Sequence, residues 1–346
     1  MRIAEYITTK GKPFIIAELS GNHNQSLERA LRLIDLAVQS GVSAVKLQTY
    51  TADTMTLDIA EGEFFINDPE DPWHGQSLYQ LYQKAYTPWS WHEQIFKHCA
   101  DLGIIAFSTA FDISSVDFLE SLNCPIYKIA AFENIDIPLI KKVATTRKPM
   151  IISTGMATIA ELDEAVHAAQ DNGCPEVTLL KCTSAYPASP QSANLRTIPH
   201  MQELFKCNVG ISDHTMGIGV AIAAVALGAT VIEKHFTDDR ALGGVDSAFS
   251  MEPQEMRELT EEVGKVWQAL GNVYYGATRE EKTSVTDRRS LYVVQDIKKG
   301  EALTKDNIRS IRPGNGLPPK YYDILLGKRV NRELVRGTAL TWDMIG

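Results

Sequence analysis

Residues 211–236 read ISDHTMGIGVAIAAVALGATVIEKHF, two short β-branched runs on either side of an almost wholly apolar helical stretch. A strand, a helix and a second strand in this order form the repeating unit of parallel α/β folds. His214 and His235 stand at the far ends of the two runs, 21 positions apart. The segment therefore bears both on the fold and on whether two histidines meet at one place.

The same alternation recurs along most of the chain. The apolar runs are FIIAELS (14–20), AVKLQTY (44–50), IIAFSTAF (104–111), IYKIAA (126–131), MIISTG (150–155), VTLLKCTS (177–184), NVGISDH (208–214) and TVIEKHF (230–236). Most neighbours are separated by about 20 to 30 residues of helical periodicity, the length of a βα unit. Eight such units predict a (β/α)8 TIM barrel, and no G-x-G-x-x-G follows the first run to favour a dinucleotide fold.

Two helix starts can be read from capping patterns. Thr158 and Glu161 form a capping box that opens the helix after the fifth strand. In YTPWSW, Thr87 is expected to cap a helix that has Pro88 at its first position.

A long polar and aromatic stretch lies between Tyr50 and Tyr86, after the second strand. A loop of this length in a compact domain is usually functional, and it follows the strand end at which barrels place their active sites. We expect it to contribute to the site; a plain surface excursion is the alternative.

The sequence changes character near residue 275. We predict a barrel over residues 1–275, a linker over 276–287 and a small β-rich domain over 288–346, where short strands are broken by Gly and Pro. A domain of that size is marginal alone, so docking on the barrel or on a partner chain is expected.

The composition limits the class of function. The formal net charge of −9 argues against a nucleic-acid or anionic-membrane surface, although a local basic pocket for an anionic substrate remains compatible with it. The N-terminal residues MRIAEYITTKGK contain no apolar signal region, which predicts a cytoplasmic protein. Five cysteines without CxxC pairing are expected to be reduced thiols.

Polar side chains stand at the ends of all eight predicted strands, where barrel enzymes place catalytic groups. Alternate residues of a strand share a face, so Ser212 and His214 project together, as do Glu233 and His235. The last two strands are expected to be neighbours, so the histidines can reach one divalent ion, Mn2+ or Mg2+. Spacing alone leaves open whether they share an ion or are separate hydrogen-bonded histidines.

Two lysines, Lys46 and Lys128, also stand among the strand ends. They either clamp a phosphate and a carboxylate, or one of them is the Schiff-base lysine of an aldolase that uses pyruvate. The residue pattern alone leaves both interpretations open.

Several motifs together carry a family resemblance. They are AELSGNHNQS (17–26), VKLQTYTADTMTLD (45–58), YKIAAFEN (127–134), IISTGMAT (151–158), LLKCTSAYP (179–187), GISDHTMG (210–217), VIEKHFTDDRALGGVDSAFS (231–250) and SIRPGNGLPPKYYDILLGK (310–328). In combination they resemble the sialic acid synthase family over essentially the whole chain. The resemblance implies a TIM barrel followed by an antifreeze-protein-like (SAF) domain, and condensation of phosphoenolpyruvate with a six-carbon amino sugar.

Within this family the chain resembles the pseudaminic acid synthases more than the N-acetylneuraminate or legionaminate synthases. GNHNQ after the first strand and the insert DPWHGQSLYQLYQKAYTPWSWH lean this way. The chain departs from N-acetylneuraminate synthases at Ser184 and Ser247, and it has Ala131 where many relatives carry a phosphate-binding serine. The aromatic insert residues are candidates for an apolar wall against a 6-deoxy sugar: Phe64, Phe65, Trp73 and Tyr79.

The resemblance also assigns site residues. It implies that phosphoenolpyruvate is held by Lys46, Thr109, Lys128, Ser153 and Ser212, with Ser184 a weaker candidate, that the metal is bound by His214 and His235, and that the sugar contacts Gln48, Glu133, Tyr186 and Asp246. For the reacting water, we expect Glu18 or Glu133 to position or deprotonate it, and the sequence leaves the choice between them open. Members pair as domain-swapped homodimers, in which Arg312 reaches the sugar site of the partner.

Overall fold

Eight parallel strands close into a barrel in the order of the chain in this computed structural model, which describes residues 2–346. The strands are β1 (Phe14–Glu18), β2 (Ala44–Thr49), β3 (Ile105–Ala110), β4 (Tyr127–Ile129), β5 (Met150–Ser153), β6 (Val177–Cys182), β7 (Asn208–Ser212) and β8 (Val231–His235). The predicted (β/α)8 barrel is therefore confirmed, and each strand lies within the apolar run that predicted it.

Helices cover the barrel and connect its strands. They are α1 (Ile3–Lys10), α2 (Leu27–Gln39), α3 (Ala52–Met55), α4 (Leu78–Ala85), α5 (Trp89–Asp101), α6 (Ile113–Ser121), α7 (Ile137–Ala144), α8 (Ile159–Asp171), α9 (Thr197–Phe205), α10 (Gly219–Ala226) and α11 (Pro253–Leu270). In α2 the buried residues Ala30, Leu33, Ile34 and Ala37 recur at helical spacing and form the face that packs on the core. No helix among residues 2–346 is long and apolar enough to cross a membrane.

The two predicted helix starts had different outcomes. The capping box of Thr158 and Glu161 is present at the start of α8. The expected cap by Thr87 was wrong, because α5 begins at Trp89 with Pro88 as its N-cap residue. The Thr87 hydroxyl lies 3.2 Å from Nε2 of His23 instead, which ties this turn to the loop after β1.

The stretch between β2 and α5 is ordered around two short helices, α3 and α4. Capping boxes start both of them, at Thr51 and Ser77. Between them, the indole Nε1 of Trp73 donates to the carbonyl of Val245 at 2.9 Å. This insert is therefore attached to the loop that follows β8.

The chain divides into two compact units at Gly271 and Asn272. The second unit contains an antiparallel pair, β9 (Ser290–Val293) and β10 (Ile308–Ile311), and a short helix, α12 (Tyr322–Leu325). It has its own hydrophobic core, which is formed by Leu291, Val293, Ile297, Leu303, Ile308, Leu317, Leu325, Val330, Leu334 and Leu340.

Candidate active site

The strand register brings most of the sequence-predicted side chains to one place inside the barrel. Register partners on neighbouring parallel strands share a face. These partners are Glu18 with Lys46 and with His235, Gln48 with Thr109, Thr109 with Lys128, and Ser212 with Glu233. The expected adjacency of β7 and β8 is present, and the Ser212 hydroxyl donates across it to Oε1 of Glu233 at 3.1 Å.

Lys46 lies buried between two carboxylates. Its Nζ forms an ion pair with Glu18, lies 3.7 Å from Oε1 of Glu233, and donates to the Thr109 hydroxyl at 3.1 Å. Burial lowers the pKa of Lys46, but the two carboxylates outweigh it and hold the pKa above its usual value. Lys46 is therefore a fixed ammonium and a poor imine-forming nucleophile.

Lys128 lies on the other side of Glu233. Its Nζ donates to the Ser153 hydroxyl at 2.7 Å and lies 3.9 Å from Oε1 of Glu233. Burial lowers the pKa of Lys128. Oε2 of Glu233 has no hydrogen-bond partner anywhere in residues 2–346. The side chains of Lys46 and Lys128, with the hydroxyls of Thr109, Ser153 and Ser212, form a buried cluster that we call the anion pocket. Its charges and donors suit a small anion that carries a phosphate and a carboxylate.

The two histidines of the opening segment meet beside this pocket. The ring centroids of His214 and His235 are 5.3 Å apart, and both residues are buried. Nδ1 of His214 donates to the carbonyl of Thr183 at 3.0 Å, so in the neutral ring Nε2 is the nitrogen without a proton. Nδ1 of His235 has no hydrogen-bond partner in the described part of the chain, and the nearest acid is Oδ2 of Asp246 at 3.5 Å.

This arrangement fits a divalent cation held by two imidazoles. Two imidazole rings that bind one ion at about 2.1 Å must have centroids within roughly 6.5 Å of each other. The observed separation of 5.3 Å meets that limit. No group of three or more His, Cys, Asp or Glu that could hold a metal occurs within residues 2–346. Further ligands of an ion held by the two histidines would be water or substrate oxygens.

An aromatic wall lines the same side of the interior. The ring centroid of Tyr186 lies 4.6 Å from that of His214, and the ring centroid of Phe249 lies 5.0 Å from that of His235. Trp73 of the insert packs against Tyr186 at 5.7 Å. Of the four aromatic insert residues named above, Trp73 is the one whose ring contacts this wall; Tyr79 instead donates its hydroxyl to Asp53 on the surface at 2.9 Å.

Two further carboxyl groups stand near the site, those of Asp246 and Glu133. Burial raises the pKa of Asp246 to about 6, and the Asn22 side chain holds its loop by accepting from the Asp246 backbone N–H at 3.2 Å. Burial also raises the pKa of Glu133 to about 7, against the opposing charge of Lys128. Oε2 of Glu133 makes no hydrogen bond to any residue from 2 to 346, so this oxygen is available to a ligand.

The remaining predicted residues are placed less centrally. Gln48 is half-buried on β2, and Ser184 is half-buried 3.8 Å from the sulfur of Cys182. Arg312 belongs to the second unit, where it follows β10 and is exposed.

At Gly155 a Cβ would lie 2.7 Å from that of Ala131, and φ is +49°, so this close turn requires glycine.

Sequence reasoning missed Tyr50 and Phe249. Tyr50 is buried directly after β2, and burial followed by the charge of Asp246 raises its pKa. Its position has the same parity as Lys46 and Gln48, so the alternation rule was a usable signal for it. Phe249 lies in the loop after β8, where no periodic signal predicts its direction.

Both parts of the chain resemble known protein families. Residues 33–275 match the NeuB family, and residues 288–346 match the SAF domain. The chain is 42% identical to pseudaminic acid synthase from Helicobacter pylori, over 96% of this chain and 98% of that protein. It is 38% identical to N,N'-diacetyllegionaminic acid synthase from Campylobacter jejuni, over 92% of this chain and 95% of that protein.

Among solved structures, the chain resembles an N-acetylneuraminic acid (sialic acid) synthetase from Leptospira borgpetersenii. The TM-score is 0.71 at 30% sequence identity, and the alignment covers 79% of this chain and 90% of that one. This likeness and the NeuB and SAF matches agree with a closed barrel followed by a small SAF domain.

Proposed function

The chain belongs to the NeuB family, and from that premise we propose that it is a pseudaminic acid synthase. The enzyme condenses phosphoenolpyruvate with 2,4-diacetamido-2,4,6-trideoxy-L-altrose and water, and it releases pseudaminic acid and phosphate. The activity is that of a C–C bond-forming transferase. The observation that carries the proposal is the convergence of two buried lysines, three hydroxyls and two histidines inside one barrel.

Phosphoenolpyruvate binds in the pocket between Lys46 and Lys128. The two ammonium groups neutralise its phosphate and carboxylate, and the hydroxyls of Thr109, Ser153 and Ser212 supply hydrogen bonds. Ser184 lies farther out, at the end of the next strand, and serves as a weaker contact. This pocket explains why a chain with a net charge of −9 keeps two buried lysines so close together.

His214 and His235 would hold the divalent cation, Mn2+ or Mg2+. When bound, such an ion supplies Lewis-acid polarisation of the aldehyde oxygen of the sugar. The aromatic wall of Tyr186, Phe249 and Trp73 lies beside the histidines and orients the sugar. Gln48 and Asp246 provide polar contacts to its hydroxyl and amide groups.

The bond changes follow from this placement. C3 of phosphoenolpyruvate attacks the sugar aldehyde, whose oxygen takes up a proton and becomes a hydroxyl, and water adds at C2 with loss of one proton. The tetrahedral centre then expels phosphate by C–O cleavage, and the remaining proton of the C2 hydroxyl leaves with the phosphate as the C2 carbonyl forms. The water must give up a proton, and the choice lies between Glu18 and Glu133. Glu18 is committed to its ion pair with Lys46, whereas Oε2 of Glu133 is free and its pKa is about 7. We therefore propose that Glu133 accepts the proton that the water gives up.

We further propose that the enzyme works in the cytoplasm as a domain-swapped homodimer. The SAF match over residues 288–346 and the exposed Arg312 support this assembly. In it, the small domain of one copy would cover the barrel of the other, and Arg312 would contact the sugar there.

Phosphate release together with product mass tests the proposal. The purified protein receives phosphoenolpyruvate, Mn2+ and three competing sugars: N-acetylmannosamine and the L-altrose and D-mannose types of 2,4-diacetamido-2,4,6-trideoxyhexose. The two trideoxyhexoses carry different isotope labels. The expected result is phosphate release that requires a sugar, and the mass of pseudaminic acid bearing the label of the L-altrose type. Preference for the D-mannose type would indicate a legionaminate synthase, and preference for N-acetylmannosamine a neuraminate synthase.

The aldolase alternative needs a separate control. A Schiff-base enzyme would use pyruvate and would be trapped by borohydride as an adduct on Lys128 or Lys46. We expect no adduct and no turnover with pyruvate. A trapped adduct would contradict the proposed chemistry.

A further inference from the structure

The residues that immediately precede the two histidines carry opposite charges. Asp213 precedes His214 on the β7 side, and Lys234 precedes His235 on β8. Because neighbours in a strand point to opposite faces, these two side chains lie on the outer face of the barrel wall, behind the histidines. Nζ of Lys234 lies 2.9 Å from Oδ2 of Asp213, and each side chain is only 1% exposed.

The ion pair is part of a larger set of hydrogen bonds. Nζ of Lys234 also donates to the carbonyls of Thr215 at 2.7 Å and Gly217 at 3.0 Å. Oδ1 of Asp213 accepts from the backbone N–H of Thr215 at 3.0 Å and from its hydroxyl at 2.8 Å. Asp213 and Thr215, the sequence neighbours of His214, are therefore both bonded to Lys234, which precedes His235.

The sheet itself does not link the two histidines directly. The ladder between β7 and β8 comprises the pairs Ile211 with Ile232 and Ser212 with Glu233, while His235 pairs with Glu18 on β1. His214 therefore lies beyond that ladder, although the N–H of Asp213 still donates to the Glu233 carbonyl at 2.9 Å. The ion pair of Asp213 and Lys234, which we call the brace, links the two strand ends beyond the last pair of this ladder.

We propose that Lys234 and Asp213 are positioning residues that set the separation of His214 and His235 for one divalent cation. The inference rests on the metal role given to the histidines in the proposed function. Metal ligands have to be held within about 0.5 Å of their working geometry by the groups that support them. Losing a supporting contact typically costs about 10-fold to 100-fold in metal affinity.

Mn2+ binding without substrates tests the proposal, with free Mn2+ measured by electron paramagnetic resonance. We expect Lys234→Met to raise the Kd for Mn2+ by about tenfold or more. Lys234→Arg keeps the charge but not the three-way contact of the ammonium, so it should give a smaller rise. The matched control is Lys148→Met, which removes a half-buried ion pair with Glu120 elsewhere in the barrel and should leave the Kd unchanged.

A purely structural role for the brace would lower thermal stability and leave the Kd of the folded protein unchanged, and that result would overturn the proposal. If Lys234→Met fails to fold, Asp213→Asn with Lys234→Met removes both charges, and its Kd decides instead. Wild type and His214→Ala separate the inference from its premise. Mn2+ binding that is lost in His214→Ala but kept in Lys234→Met contradicts the brace and leaves the proposed function intact.

Discussion

Inside the barrel, two lysines share the carboxylates of Glu18 and Glu233 within a volume shielded from water. A buried charge is tolerated when it is paired, and removing one partner leaves the other uncompensated. In the absence of substrate, these ion pairs keep the anion pocket stable. When phosphoenolpyruvate binds, its negative groups add to those of the two glutamates, so the hydroxyl contacts and the ammonium groups must together favour the ligand.

Replacing Lys46 should therefore destabilise the protein as well as abolish activity. We expect Lys46→Met to lower the free energy of unfolding by about 3–5 kcal/mol at pH 7.5, measured by urea denaturation. Without Lys46 the pKa of both glutamates rises, that of Glu18 from above its usual value and that of Glu233 from below it, so the loss should shrink as the pH is lowered and they take up protons. Adding Glu18→Gln to Lys46→Met should recover part of the lost free energy of unfolding.

Lys142, which is half-buried and pairs with the exposed Asp117, provides the comparison for that experiment. Lys142→Met should change stability by less than about 0.5 kcal/mol. Equal effects of the two substitutions would show that the buried pairing of Lys46 has no special role.

Glu133 gives a pH prediction. Burial raises its pKa to about 7, so the carboxyl group is neutral below that pH and accepts a proton only above it. We expect kcat to fall as the pH drops through 7, and Glu133→Gln to lower kcat by about 100-fold or more. Because the native state binds this proton more tightly than the unfolded chain, Glu133 should reduce stability as the pH rises from 4.5 through 7. Glu133→Gln should remove that dependence.

The exposed Glu164 on α8 is the matched control for Glu133. Glu164→Gln should keep both the pH profile and kcat. If kcat of Glu133→Gln still falls as the pH drops through 7, another group accepts the proton, and Glu18 is the next candidate.

At the residue scale, alternation along a strand predicted much of the site. It places Ser212 with His214 and Glu233 with His235 from the sequence alone, and the same rule applies to Tyr50. It did not predict that Glu18 pairs with Lys46, because that contact depends on the register of β1 against β2. Register is set by packing across the whole barrel, and a single strand sequence does not contain it.

At the element scale, the strands were found because buried parallel strands are continuous apolar runs, and helices of suitable length separate them. The failed helix start at Thr87 has a physical cause. Its hydroxyl bonds His23, a residue 64 positions away, and such a distant partner leaves no local signal in the sequence. The sequence likewise did not predict how the insert is held, since its attachment depends on the hydrogen bond from Trp73 to the distant carbonyl of Val245.

The insert provides the prediction at this scale. Trp73 contacts Tyr186, which lies against His214, so in the proposed function the insert contributes to the sugar side of the site. We expect Trp73→Ala to raise the KM for the sugar about tenfold and to leave the KM for phosphoenolpyruvate within about twofold. Steady-state kinetics with each substrate varied in turn gives both constants.

Tyr79, in the same insert, offers a control because its hydroxyl bonds Asp53 on the surface. Tyr79→Phe should leave both KM values unchanged. Equal rises in both KM values for Trp73→Ala would instead indicate a general loss of barrel structure.

At the scale of the whole molecule, the change of composition near residue 275 predicted two domains, and the structure contains two compact units, each with its own core. The boundaries at 275 and 288 stay predictions. The quaternary arrangement depends on surfaces of two chains together, so a single sequence indicates it only through resemblance.

The proposed exchange of small domains makes a quantitative prediction about mixed dimers. Arg312→Ala leaves its own barrel intact, and Lys128→Met leaves its own Arg312 intact, so each homodimer should be inactive. If Arg312 acts on the partner's barrel, a heterodimer of the two variants contains one complete site out of two. Random pairing of equal amounts then restores about one quarter of wild-type activity. Co-expression with two affinity tags and phosphate release measures it; no recovery in purified heterodimers would show that Arg312 serves its own chain or neither.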